Sequence, residues 1–215
     1  MKSIFLIIIC SLFSIAISAQ TGIKVFFETQ KTIKEESLNN LPVHIRATAL
    51  KQLQSIKEKS YMLIQNNMVY YETIAQNKKV ASNGIINTKD SNSNVMFVKD
   101  LSMTAISKGI KIVKEYNKNS YTTKVNNKEV TEKLPIVEWK FTKKQKKILG
   151  YNCYEASTIY NHKQFTVYFT KELNVFGSPA KFPFIKGVVL EYKYGNSVSC
   201  ATKVDLNQPT ITEFL

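Results

Sequence analysis

Short aromatic and β-branched runs, divided at close intervals by turn residues, limit what this chain can fold into more than any other feature. Ile23-Lys24-Val25-Phe26-Phe27-Glu28 alternates in part, which places Ile23, Val25 and Phe27 on the inner face of a first strand. Strands over 61–64 and 68–71 follow, divided by Asn66-Asn67, a pair that tolerates left-handed turn angles. Strand-like composition resumes at 95–98, 109–113 and 121–125, with turns at Asn83-Gly84 and Asn126-Asn127 and an exposed loop over 87–94. Further strands are expected over 136–141, 148–159, 165–170, 188–194 and 198–204. One stretch changes period: from Pro42 to Lys59, Val43, Ala47, Leu50, Leu53 and Ile56 fall on one helical face. The expected fold is mainly β with α, a curved antiparallel sheet or open half-barrel covered by an N-terminal helix.

The first residues describe export. Lys2 precedes an apolar run from Ile4 to Ile17, then small residues, so 1–19 read as a signal peptide and 20–215 as a single domain. No later segment is long and apolar enough to anchor the mature chain in a bilayer. The chain is expected to be exported: periplasmic, outer-membrane-associated or secreted. In that compartment Cys153 and Cys200 are candidates for one disulfide, worth about 3 to 4 kcal/mol in the loop-entropy picture. Buried free thiols are the other reading of the same two residues.

A net charge of +14 comes from lysine, with Arg46 the only arginine. Phosphate and base recognition favours arginine forks, so no nucleic-acid partner is expected. Lys143, Lys144, Lys146 and Lys147 form the densest basic stretch and are expected on a turn or strand edge, where charge discourages edge pairing.

Catalytic signatures are weak. His44 and His162 are the two histidines, and neither belongs to a metal-binding motif; no metal or other cofactor is expected. Cys153 with His162 as its base is a poor nucleophile pair on sequence grounds. Glu155, Glu172 and Glu191 form a possible acidic constellation whose geometry the sequence does not give. Trp139, Tyr151, Tyr168, Phe169 and Phe182 are candidates to line an aromatic ligand cleft, or simply to fill the core.

From Ile148 to Ala156 the chain resembles the GLPGLI family of exported Bacteroidetes proteins, through Gly150, Tyr151, Cys153 and Ala156. Trp139 precedes this segment at suitable spacing, and Tyr168-Phe169-Thr170 resembles the family's tryptophan-tyrosine-threonine strand. Gly177 and Pro179 resemble its glycine-proline approach, and Gly187 and Leu190 match within the name motif, where Phe184 and Lys186 depart from it. The resemblance implies a β-rich exported protein of no settled activity. Together with charge and composition, it leads to the expectation of a noncatalytic envelope protein binding a partner protein or an amphiphilic ligand. A cryptic hydrolase, marked by Glu, His or Cys converging in an accessible cleft, and a structural or assembly protein are the alternatives.

Overall fold

The computed structural model describes residues 22–41, 43–80, 86–89, 96–99, 103–107, 109–125, 128–208 and 211. The expected leader at 1–19, Pro42, the turns expected at Asn83-Gly84 and Asn126-Asn127, and residues 90–94 of the expected loop lie outside them. So does the side chain of His44.

The first half contains β1 (Gly22–Lys31), α1 (Val43–Ser55), β2 (Lys57–Gln65), β3 (Met68–Thr73), β4 (Gln76–Val80), β5 (Ile86–Lys89), β6 (Met96–Lys99), β7 (Met103–Ser107), β8 (Lys111–Glu115), β9 (Ser120–Val125) and β10 (Lys128–Lys133). The second half contains β11 (Lys140–Ile148), β12 (Tyr151–Tyr160), β13 (Lys163–Thr170), β14 (Val188–Tyr194) and β15 (Ser197–Gln208). Eleven strands form one sheet in the order β10-β9-β8-β3-β2-β1-β15-β14-β13-β12-β11. Two antiparallel meanders therefore flank β1, and its pairing with the distant β15 joins them. β4 pairs with β7 and β5 with β6. Asn87, Thr88 and Lys89, expected in a loop, are strand residues because they pair with Val98, Phe97 and Met96.

A connection of six residues forces this sheet to curl. Laid flat, eleven strands would be about 48 Å across. Yet β10 and β11, its two edges, are joined by residues 134–139, a link that reaches at most about 25 Å when fully extended. The edges are consequently drawn toward each other without pairing, which gives an open trough in place of a closed barrel. Alternation along the strands turns Val25, Phe27, Met62, Ile64, Val69, Tyr71 and Leu190 into one buried cluster. A second cluster surrounds Phe165 and Phe182, whose rings stack with centroids 4.2 Å apart. The turn residues behave as their chemistry dictates: Asn66, between β2 and β3, takes a positive φ of 52°.

Differences from the sequence reading concentrate at element ends. α1 stops at Ser55 because β2 already begins at Lys57, which pairs with Gln30 and whose ammonium meets Glu28 at 2.8 Å. Val43 and Ala47, expected on the apolar face of α1, are exposed, whereas Ala49 is buried. The helix is tied to β1 by Gln30, which donates to the Gln54 carbonyl, and to the segment just after the strand by Gln54, whose side chain donates to the Ile33 carbonyl. The strand expected over 136–141 lies further along: 134–139 is the bridging link, and β11 carries the lysines along a free sheet edge.

Candidate functional site

A polar row crosses the sheet on one face. Glu155 on β12 faces Tyr168 on β13, Tyr168 faces Glu191 on β14, Glu191 faces Cys200 on β15, and Cys200 faces Glu28 on β1. Directly opposed residues of neighbouring strands project to the same side, so five side chains distant in sequence share one line. Edge strand β11 adds cations. Lys146 reaches across to Glu191 at 2.6 Å, with its ammonium 4.0 Å from the centre of the Tyr168 ring, and Lys144 lies 3.4 Å from Glu155.

The hydrogen bonds define each group's state. Glu155 accepts from the Tyr168 hydroxyl at 2.7 Å and from Thr142 Oγ1 at 3.0 Å. These bonds, Tyr168 first, and the Lys144 charge hold its carboxyl below the usual range, against the opposing effect of burial. The same bond, followed by burial, pushes the Tyr168 phenol up to about 12. Cys200 donates its thiol to Glu191 Oε2 at 3.4 Å, and burial together with the Glu191 charge raises that thiol to about 11. The row therefore presents an ionised carboxylate, a protonated phenol, a second carboxylate with a bound ammonium, and a protonated thiol. Glu155 and Glu191 stand two strand spacings apart, about 10 Å between backbones. Such an array can take a proton from water, return one to a leaving group and hold a developing oxyanion against Lys146.

These opposite shifts have a measurable pH signature. The Glu155 contribution to stability is complete above the ordinary carboxylate range and is lost as pH falls through its lower folded value. The Tyr168 contribution is complete below 10 and is lost as pH rises through about 12. Tyr168→Phe is expected to reduce the alkaline loss of thermal stability in calorimetry; an unchanged alkaline limb would refute the coupling.

Of the acidic constellation, Glu155 and Glu191 come together on this face. Glu172 does not join them; it accepts from the backbone and side chain of Asn152. The aromatic candidates divide. Phe169 and Phe182 are buried in the core, and Trp139 packs on Phe165 with centroids 5.7 Å apart and donates its indole N–H to the Phe184 carbonyl. Tyr151 is half-buried beside the first cluster, while Tyr168 belongs to the polar row. Trp139, Phe169 and Phe182 thus share the second cluster, whereas Tyr151 and Tyr168 pack against the first. Among the basic candidates, Lys144 and Lys146 serve the row, while Lys143 and Lys147 are exposed.

Cys153 and Cys200 are free thiols. β13 and β14 lie between their strands, a separation of about 14 Å, roughly twice what a disulfide spans, so the expected cross-link does not form in this fold. Alkylation without reduction is predicted to label both cysteines in the unfolded chain, and a disulfide-linked peptide pair would contradict this register. His162 sits in the turn after β12, more than about 20 Å along the strand from Cys153, which separates that pair too. Among the described residues, no cluster of His, Cys, Asp and Glu is arranged to hold a metal, and no helix is long and apolar enough to cross a membrane.

Sequence reasoning passed over Thr142, Glu28 and Lys57 as members of this face. The available signal was Glu191 itself, a charge set inside the apolar run Val188-Val189-Leu190-Glu191-Tyr192.

Residues 78–213 match the family described as N-glycanase peptide, N-terminal domain, and the chain belongs to that family. The matched span holds the whole polar row except Glu28. Two solved structures share the fold. "Structure of PNGF-II in P21 space group" is 17% identical with a TM-score of 0.56, covering 91% of this chain and 30% of its own. "Structure of PNGF-II in C2 space group" is 18% identical with a TM-score of 0.54, covering 88% of this chain and 28% of its own. The chain thus spans less than a third of the length of those structures. No curated protein matches it.

Family membership overturns two expectations. The chain does not belong to the GLPGLI family; the glycines that suggested it serve the sheet. Gly187 enters β14 with a φ of 152°, and Gly177 lies so close to Ile64 that a Cβ would sit 2.4 Å from Cδ1. The noncatalytic envelope-binding reading is also overturned, because the family is that of an N-glycanase, a hydrolase, which favours the hydrolase alternative.

Proposed function

We propose that this chain is exported and acts in the hydrolysis of N-linked glycoproteins, on the amide bond that joins the glycan to asparagine. The family match over residues 78–213 carries this reading. The convergence of Glu155, Tyr168, Glu191 and Lys146 on one face of the sheet supplies a fitting chemistry. A water gives its proton to Glu191 and its oxygen adds to the side-chain carbonyl carbon. The oxyanion forms beside the Lys146 ammonium. As the carbon–nitrogen bond breaks, Glu191 returns the proton to the departing glycosylamine, leaving aspartate in the peptide. Attack by Cys200 is the weaker route: with the thiol at about 11, little thiolate exists at neutral pH.

Incubating the chain with an N-glycosylated peptide and following both products by mass spectrometry tests the proposal. An aspartate-containing peptide and a free glycan are expected. A substrate that stays intact with this chain, under conditions where a known N-glycanase cleaves it, would overturn the reading.

A further inference from the structure

The trough contains a segment of the chain held as though it were a bound peptide. Residues 171–187, between β13 and β14, run through it, and side chains from elsewhere in the fold grip their backbone. Lys114 of β8 is completely buried. Its Nζ donates to the carbonyl oxygens of Ser178 at 2.6 Å, Phe182 at 3.0 Å and Pro179 at 3.3 Å, and to Ser178 Oγ at 2.9 Å. Trp139 grips the Phe184 carbonyl and Tyr160 the Lys181 carbonyl, while the Tyr116 hydroxyl accepts from the Ser178 amide. Phe182 and Ile185 supply the apolar anchors.

Lys114 stands apart from the other ties because it is an ionisable amine, fully buried, whose hydrogen-bond partners are four uncharged oxygens. A neutral amine has two N–H donors, whereas an ammonium has three, and here four oxygens surround the nitrogen. Charge-assisted bonds to carbonyls stabilise the ammonium, while complete burial opposes it and lowers its pKa. The balance makes the tie strong when the cage is closed and unfavourable once the oxygens move away.

We propose that Lys114 acts as a tethered cation that locks residues 171–187 into the trough, and that this segment opens as one unit when the lock is lost. Opening would uncover the aromatic floor around Phe165 and Tyr192 while the sheet itself stays intact.

Native-state hydrogen exchange tests this in Lys114→Met, which keeps an unbranched apolar side chain but removes the cation. The amides of Gly177, Phe182 and Val189 are expected to exchange roughly 100-fold faster, while those of β1 change far less. An equal acceleration in both regions would overturn the proposal, because it would show general destabilisation without a lock. Should the variant fail to fold, exchange of the wild-type chain across low denaturant concentrations decides the matter. The same three amides are expected to open together, below the global unfolding limit. Their exchange only through global unfolding would overturn the proposal.

Discussion

Replacing Glu191 with glutamine is expected to lower kcat/KM for an N-glycosylated peptide by roughly 10²- to 10⁴-fold, the usual loss when a positioned general base is removed. Glutamine keeps the size of the side chain and an acceptor for Lys146, so the row stays assembled while its capacity to take a proton disappears. The effect belongs in kcat, since proton transfer contributes in the transition state and little to ground-state binding. Cys200→Ala separates this route from thiol attack. If Glu191 activates water, the alanine variant keeps activity within about tenfold, because the thiol merely donates to Glu191. If Cys200 is the nucleophile, the alanine variant is inactive. Thermal unfolding of each variant shows whether lost activity reflects lost fold.

Gly187→Ala is expected to produce a large loss of stability. A Cβ there would lie 2.6 Å from the Thr170 carbonyl oxygen and 2.7 Å from Phe169 Cδ2, in a backbone conformation that side-chain-bearing residues rarely adopt. Both neighbours are buried, Thr170 at 0% exposure and Phe169 at 2%, and the nearer one is backbone, so relief requires β13 and β14 to move apart. Strain and overpacking together cost about 3 kcal/mol or more, a fall in Tm of roughly 6 to 12 °C for a chain of this size. Gly109→Ala is the control, because its Cβ would meet the nearest atom at 3.4 Å. Equal unfolding temperatures for the two variants would show that the crossing into β14 is not constrained.

The strands were legible wherever one face is buried. Ile23, Val25 and Phe27 alternate because β1 lies at the centre of the sheet, and the structure buries all three. Edge strand β10 has all six residues exposed, which erases the alternation that would have announced it. Lys114 defeated sequence reading for a related reason. Its acceptors lie more than sixty positions away, and a lysine in Lys111-Ile112-Val113-Lys114-Glu115 resembles any solvated strand residue. The polar row was half visible. Glu155 and Glu191 could be named as acids, but their meeting depends on register across β12, β13 and β14, which composition does not encode. Short glycine-bearing strand motifs misled the family reading because many β-proteins place glycine where strands enter a crowded core.

Cleavage of an N-glycosylated peptide in heavy-oxygen water reads out amide hydrolysis at the bond that breaks. One heavy oxygen is expected in the new aspartate carboxyl group, with the entire glycan released from the peptide. A peptide that keeps a sugar remnant on an asparagine free of heavy oxygen would contradict amide hydrolysis and identify glycosidic cleavage instead.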